Sequence, residues 1–254
     1  MRDILKGEGA LAIIVLAVLW QVASQYSTPM FFPSFGTIAE AGRELLSNAD
    51  TWASIGVTLL RVLAFLVLSF VLSCALGLGA AVSRRFERFV VPLVEIKQGI
   101  PGVCWVLFAI LWFRNMEARI GFVVIIAALP TFFYQIRDAV KGIPRDLLDM
   151  VRSLRPSFAQ LLRILIAPAV LPALLTSWRI NVGNATRMTI MAELLGGISG
   201  IGQQLRQAEE VFRMDQVIVW TIVLMAFVLL SNQLLSAFER RALKWRASEG
   251  LRHD

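Results

Sequence analysis

The chain has 254 residues, of which 57% are hydrophobic and 17% are charged, and its mean hydropathy is +0.69. An ordinary soluble domain is less apolar than this, so lipid is the expected solvent for most of the chain. The net charge of +7 does not require a nucleic acid partner, because basic loops that face an anionic membrane leaflet account for it.

Six windows are long and apolar enough to cross a hydrocarbon core of roughly 30 Å as helices. They lie at about 10–26, 55–82, 89–113, 120–136, 163–186 and 217–238. We therefore predict an all-α, polytopic membrane bundle of six transmembrane helices, in which 1–254 form a single transmembrane domain. The first window follows Arg2 and Lys6 and is alternatively a signal peptide, although "VASQYS" is a weak cleavage site.

The 25 Lys and Arg residues are distributed unevenly between the two sides of the predicted bundle. Most of them lie in the N-terminal residues, the 83–88 turn, the 137–163 segment and the C-terminal tail, which all fall on one side. Because an excess of Lys and Arg marks cytoplasmic loops, both termini and the 137–163 segment are predicted to be cytoplasmic. Arg61 is expected near the outer interface, as an anchor.

Several chemistries lack the residues that they need. His253 is the only histidine, and Cys74 and Cys104 occur singly in different spans, so no zinc or haem spacing exists. No G-x-x-x-x-G-K-[ST] phosphate-binding loop occurs, and "GGISGIG" has Ile201 where a nucleophile elbow needs its last glycine. We therefore expect no metal, no cofactor and no enzymatic activity on this chain. If ATP drives the protein, another chain hydrolyses it.

The 137–163 segment contains "DLLDMVRSLRPSF", which has the pattern of a short amphipathic helix. Its apolar residues Leu147, Leu148, Val151 and Leu154 recur at the spacing of one helical face. Pro156 is expected to end the helix near Leu154. A helix that lies across the ends of membrane spans suits a docking site for a partner protein, or it packs on its own bundle. The pattern alone leaves both interpretations open.

This segment resembles the cytoplasmic EAA loop of ABC-importer permeases, whose pattern is E-A-A, three residues, G, nine residues and I-x-L-P. The sequence has "DMV" at 149–151, Arg155 at the glycine position and Pro168 at the proline position. Five further blocks are similar, in order, to permeases of the nitrate/sulfonate/taurine group: "VTLLRVLAF", "VVPLVEIKQGIPGVCWVLFAILWF", "PAVLPALLTSWRINVG", "MAELLGGISGIGQQL" and "AFERRALKW". The resemblance covers nearly the whole chain.

The resemblance implies a type I importer permease in the bacterial cytoplasmic (inner) membrane. In that family two permease copies form the pore, two ATPase subunits that bind ATP and Mg²⁺ dock on the cytoplasmic face, and a substrate-binding protein docks outside. The residues implied to couple the loop to the ATPase are Asp146, Leu148, Asp149, Val151, Leu154, Arg155, Pro156 and Ser157.

The spacing and the proline match the family pattern but most identities do not, and two of the departures bear on the function of the loop. Arg155 stands in place of glycine, and if that position needs a positive φ, arginine costs roughly 1 kcal/mol or more. Asp149 stands in place of the usual Glu, so its carboxylate reaches less far towards a basic partner. We interpret both as divergence of a partner-specific interface.

Polar residues inside the spans are candidates for the translocation pathway, because lipid would not tolerate them. The candidates are Lys97, Gln98, Arg179, Asn181 and Asn184. Snorkelling to the interface is the alternative for Lys97, and helix packing is the alternative for Arg179 and the two asparagines.

The glycine-rich segment after Met191 is expected to form a short re-entrant element that closes the outer mouth. The alternative is that its glycines let two helices pack closely. The candidate gate residues are Glu193, Gly196, Gly197, Gly200 and Gly202.

The resemblance implies a small solute such as a sulfonate, taurine or nitrate, and the intramembrane Lys97 and Arg179 are compatible with an anionic one. The family resemblance also extends to permeases for thiamine precursors and other small organic solutes, which remain an alternative. An ion-coupled secondary transporter typically shows an internal repeat with broken helices, and we find no such symmetry. A membrane enzyme would need an intramembrane cluster of His, Asp or Ser.

Overall fold

The computed structural model describes residues 8–28 and 30–242. All regular structure in these ranges is helical, so the all-α prediction is confirmed. Arg2, Lys6 and His253 lie outside the described residues. The helices are α1 (Glu8–Tyr26), α2 (Phe35–Ser47), α3 (Ala49–Val82), α4 (Arg84–Gly99), α5 (Gly102–Trp112), α6 (Met116–Lys141), α7 (Arg145–Ser153), α8 (Phe158–Leu161), α9 (Ala167–Gly196), α10 (Ile201–Glu210) and α11 (Met214–Ala242).

Three long helices, α3, α6 and α9, form the centre of the bundle. α6 packs along most of α3 and also along α9. Their shared core contains Leu66, Phe132 and Val182, each of which is 2% exposed or less. Ser69 and Ser73 of α3 donate hydrogen bonds to backbone carbonyls of α6 at 3.3 Å and 3.2 Å. Such contacts join helices where no water is available to satisfy the hydroxyl groups.

α1 and α11 lie at the periphery of the bundle. Most apolar side chains of α1 are exposed, which suits contact with lipid. α1 is attached through Trp20, whose Nε1 donates to the carbonyl oxygen of Pro33 at 3.0 Å and whose ring lies 5.2 Å from that of Phe32. α11 packs against α9, α2 and α10.

The third predicted span, 89–113, is not one straight helix. It is covered by α4 and α5, which meet at a bend of 100°. Pro101 lies at the bend, has no N–H to donate and disfavours helical geometry at the residue before it. Ile100 accordingly has an extended conformation, with φ −93° and ψ 125°. Among the described residues, five helices are long and apolar enough to cross a membrane, or six if this bent pair counts as one span.

The fifth predicted span, 163–186, continues well past its predicted end, because α9 ends only at Gly196. A π-helical turn, Leu162–Ile166, joins α8 to α9, and Ala167 N donates to the carbonyl oxygen of Leu162. The turn lies directly before Pro168, whose missing N–H interrupts the regular helical ladder. The longer helix carries Glu193 into the interior of the bundle.

Candidate functional site

α7 stands apart from the rest of the bundle. None of its residues is buried, and it makes no extended contact with another described helix. The apolar side chains of Leu147, Met150 and Leu154 are 39%, 60% and 79% exposed, and those of Leu148 and Val151 are half-buried. This exposure argues against the alternative in which the helix packs on its own bundle.

The turn after α7 has a defined conformation. Arg155 has a φ of 48°, so the position of the family's glycine does adopt the left-handed conformation. Ser157 N donates to Gln160 Oε1 at 2.8 Å, and Gln160 N donates to Ser157 Oγ at 3.3 Å, so the two residues cap the start of α8 reciprocally. The remaining loop candidates divide by exposure: Asp146, Asp149, Arg155 and Ser157 are exposed, and Pro156 is half-buried.

A cavity of about 210 Å³ lies beside the bend between α4 and α5. Its polar side chains come from three helices: Lys97 from α4, Trp105 from α5 and Asn184 from α9. Ile100 and Gly102, on the two sides of Pro101, also line it. The structure therefore brings two of the five candidate pathway residues, Lys97 and Asn184, to one cavity.

The other three candidate pathway residues lie elsewhere. Gln98 is exposed and does not line the cavity. Asn181 is fully buried and donates through Nδ2 to a backbone carbonyl of α6 at 3.2 Å. Arg179 donates to Ser236 Oγ at 3.0 Å and pairs with Glu239, and both partners belong to α11. Helix packing, the alternative to a pathway role, accounts for the contacts of Asn181 and Arg179.

Glu193 is fully buried near the end of α9. Its carboxylate accepts hydrogen bonds from Arg61 Nη1 at 2.8 Å and from Gly202 N at 2.9 Å. It also accepts from Thr58 Oγ1, which lies 2.9 Å and 3.0 Å from its two oxygens. A buried carboxylate needs such partners, because desolvation of an unpaired charge is prohibitive.

Arg61 connects Glu193 to a second carboxylate and to the glycine-rich segment. Its Nε donates to the two oxygens of Glu117 at 3.0 Å and 3.1 Å. Its terminal nitrogens donate to the carbonyl oxygen of Ser199 at 3.0 Å and to the hydroxyl of Ser199 at 2.9 Å. Arg61 is only 6% exposed, so it is a buried ion-pair residue and not the interfacial anchor that we expected.

Three of the four candidate gate glycines lie directly against Glu193. Gly200 has a φ of 101°, and a Cβ there would lie 2.3 Å from Glu193 Oε1. A Cβ at Gly197 would lie 2.3 Å from the carbonyl oxygen of Glu193, and one at Gly202 would lie 2.5 Å from its Cβ. A Cβ at Gly196 would meet its nearest neighbour at 3.4 Å. The glycines at 197, 200 and 202 thus let the segment fold onto a buried carboxylate.

The sequence matches a protein family over most of its length. Residues 73–244 match the family described as binding-protein-dependent transport system inner membrane component. The chain belongs to this family. It is therefore a multi-pass permease of the inner membrane, of the ABC-importer type.

Curated relatives of the permease include transporters of sulfonates, taurine and riboflavin. It is 24% identical to the putative aliphatic sulfonates transport permease protein SsuC of Bacillus subtilis, over 95% of this chain and 88% of the relative. It is 25% identical to the taurine transport system permease protein TauC of Escherichia coli, over 96% of this chain and 90% of the relative. It is 29% identical to the riboflavin transport system permease protein RibX of Chloroflexus aurantiacus, over 93% of this chain and 89% of the relative.

Solved structures show that the fold is that of ABC-transporter permeases. The permease resembles a chain of the MetNI methionine ABC transporter in an inward-facing conformation, with a TM-score of 0.64 and 18% identity over 77% of this chain and 99% of that chain. A chain of an amino acid ABC transporter gives a TM-score of 0.55 with 16% identity, over 74% of this chain and 92% of that chain. These similarities concern the fold alone.

Several residues of the permease that we did not predict as site residues are part of these clusters. Thr58 and Arg61 lie three positions apart on one face of the apolar α3, and that spacing marks a polar patch readable from the sequence. Glu117 and Trp105 carry no comparable local signal. No group of three or more His, Cys, Asp or Glu within residues 8–28 and 30–242 is arranged to hold a metal ion.

Proposed function

We propose that the permease forms, with a second copy of itself, the translocation pore of an ATP-driven importer for a small anionic solute such as a sulfonate, taurine or nitrate. Family membership and the sulfonate and taurine relatives support this substrate class. In this proposal two separate ATPase subunits bind ATP and Mg²⁺ at the cytoplasmic face. An extracytoplasmic substrate-binding protein delivers the solute.

The exposure of α7 is the observation that carries the coupling role. An apolar stripe left in water is unfavourable by about 25 cal/mol per Å², so a partner groove that covers it gains that free energy. Leu147 and Leu154 are the exposed members of the stripe, and the neighbouring Met150 extends its exposed apolar surface. The exposed Asp146 and Asp149 offer carboxylates to basic groups of the partner.

α7 is also well placed to transmit movement. The turn at 154–157 leads directly into α8, the π-helical turn and α9, a helical segment that runs without a break from Phe158 to Gly196. α9 carries Asn184 at the cavity and Glu193 under the glycine-rich segment. In the proposed mechanism, closure of the two ATPases displaces α7, and α9 conveys that displacement to the pore.

The Glu193 cluster is the proposed outer gate. Glu193 holds segment 197–202 against α3 through Arg61 and Thr58, and Arg61 extends the contact to α6 through Glu117. A movement of α9 relative to α3 must therefore break these hydrogen bonds as a group or carry all of their partners along. A cluster of this kind favours two discrete arrangements over a gradual opening.

The coupling role is tested by placing a charge within this exposed apolar surface. Met150→Asp and Leu154→Asp should each reduce copurification of the ATPase and stimulation of its ATP turnover at least tenfold, because the groove would have to bury a carboxylate. The thermal stability of the permease alone should not change, since neither side chain is buried. Ser153→Asp, which adds the same charge to an exposed position of α7, is the matched control and should copurify normally. Normal ATPase copurification in Leu154→Asp would rule out the docking role.

A second candidate substrate class is a larger organic solute. The riboflavin permease of Chloroflexus aurantiacus favours it, because its 29% identity exceeds that of the sulfonate and taurine relatives described above. Uptake of labelled taurine, nitrate, riboflavin and thiamine precursors into proteoliposomes that contain the complete transporter separates the two classes. Uptake that needs an ion gradient and no ATP would instead support a secondary transporter.

A further inference from the structure

The cavity beside the α4–α5 bend is lined by side chains that carry hydrogen-bond donors. Lys97 lies in the last turn of α4, and no carboxylate within the described part of the chain forms an ion pair with it. The indole Nε1 of Trp105 has no hydrogen-bond partner, but it is enclosed by protein, so other atoms of Trp105 line the cavity.

The orientation of the Asn184 amide is fixed by a neighbour on the same helix. Arg187 Nη2 donates to Asn184 Oδ1 at 2.6 Å. Because a guanidinium group can only donate, the amide oxygen must face Arg187, and Asn184 Nδ2 remains as a further donor beside the cavity. Lys97 and Asn184 thus both present donors beside the cavity.

The backbone at the bend, like these side chains, favours a ligand that accepts hydrogen bonds. α5 begins at Gly102, which lines the cavity, and no side chain caps its first N–H groups. The amino end of a helix carries a partial positive charge, and half-helices that begin inside a membrane bind anionic groups in this way. No Asp or Glu lines the cavity to oppose that charge.

We propose that this cavity is an anion-binding site that holds a small sulfonate or nitrate during its passage through the permease. The inference rests on the proposed importer function and deepens it, because it places a solute site within the membrane part of the chain. Lys97 supplies the charge, Asn184 donates to an oxygen atom of the anion, and Met188 and Ile126 contact its apolar part. The volume of about 210 Å³ is comparable to that of about seven water molecules, so a solute of a few heavy atoms fits within the cavity.

Titration of the purified full-length permease in lipid nanodiscs tests the site without its binding protein. Sodium methanesulfonate should bind saturably in calorimetry, and sodium gluconate, a much larger anion, should bind at least tenfold more weakly at equal ionic strength. Lys97→Met should weaken methanesulfonate binding at least tenfold, and Asn184→Ala, which removes the amide donor, at least threefold. Lys97→Arg should retain most of the affinity, because it keeps the positive charge.

The matched control is a lysine outside the cavity. Lys141→Met changes an exposed lysine of α6, so this variant should bind like the wild type. The melting temperature of each variant without ligand shows whether it is folded. Absence of saturable binding in the wild type, equal binding of gluconate, or wild-type affinity in Lys97→Met would each overturn the site.

Transport measurements distinguish this failure from failure of the proposed function. If Lys97→Met takes up solute with an unchanged KM in an ATP-dependent manner, the site is overturned and the importer stands. If the wild-type complex shows no ATP-dependent uptake, the proposed function itself fails.

Discussion

Arg155 holds a backbone conformation that favours glycine. Its φ of 48° lies in the left-handed region, where a side chain costs about 1 kcal/mol or more. We predict that Arg155→Gly relieves this strain, so hydrogen exchange in α7 should be no faster than in the wild type and transport should be retained. Exchange of the peptide covering 145–157, together with ATP-driven uptake, is the measurement.

Arg152→Gly is the matched control for this prediction. Arg152 lies in the last turn of α7, where glycine costs about 1 kcal/mol relative to alanine, so exchange in the same peptide should accelerate. Faster exchange in Arg155→Gly would contradict the strain argument. A complete loss of transport with unchanged exchange would show instead that the guanidinium group makes a functional contact of its own.

Glu193 and Glu117 both pair with Arg61 but differ in burial. The side chain of Glu193 is 0% exposed, whereas that of Glu117 is 53% exposed. Glu193→Gln puts an amide donor where the carboxylate accepts, so we predict a loss of at least about 2 kcal/mol in stability. Glu117→Gln should cost no more than about 1 kcal/mol, because exposed ion pairs contribute little. Thermal unfolding of both variants in nanodiscs is the comparison, and equal losses would contradict the central role given to Glu193.

Local features of the sequence could be read directly, and contacts between distant helices could not. The apolar residues between Leu147 and Leu154 predict α7, because the spacing of one helical face can be read from a few consecutive residues. Pro101 likewise marks the bend locally, but the prediction of one straight span over 89–113 left out the effect of this proline. The partners of Arg61 are 56 and 132 positions away, so the packing of α3 against α6 and α9 decides them, and no single stretch of sequence shows that packing.

At the scale of the elements, Arg179 joins α9 to α11. It pairs with Glu239 and donates to Ser236, and its side chain is 40% exposed. We predict that Arg179→Ala lowers thermal stability and leaves transport per folded complex unchanged. Arg179→Glu alone should also lower thermal stability. The double variant that combines Arg179→Glu with Glu239→Arg should recover part of that loss, because the swapped charges can pair again.

The measurement is proteoliposome uptake normalised to folded complex, with thermal unfolding recorded on the same samples. Lys97→Met serves as the contrasting variant, because it should lower normalised uptake without disturbing the contact between α9 and α11. If Arg179→Ala has wild-type stability but reduced normalised uptake, Arg179 belongs to the translocation pathway.

At the scale of the whole molecule, the two ends of the bundle differ in their charge. At one end, Arg137 and Lys141 of α6 pair with Glu87 of α4, and α7 follows α6 directly. Arg145, Arg152 and Arg155 add further positive charge to that end, on α7 and the turn after it. At the other end, Arg213 is balanced by Glu44 and Asp215. Since an excess of Lys and Arg marks the cytoplasmic side, α7 should face the cytoplasm.

Labelling of single cysteines in intact cells tests this orientation. The native cysteines are first removed as Cys74→Ala and Cys104→Ala, and one exposed position is then changed at a time. Ser153→Cys should react with a membrane-impermeant maleimide only after lysis, whereas Ser47→Cys and Glu210→Cys should react in intact cells. Labelling of the denatured protein, equal for all three, is the control for thiol reactivity. The reverse pattern would place α7 outside the cell, where no ATP-driven subunit can reach it, and would thereby remove the coupling role proposed for its apolar stripe.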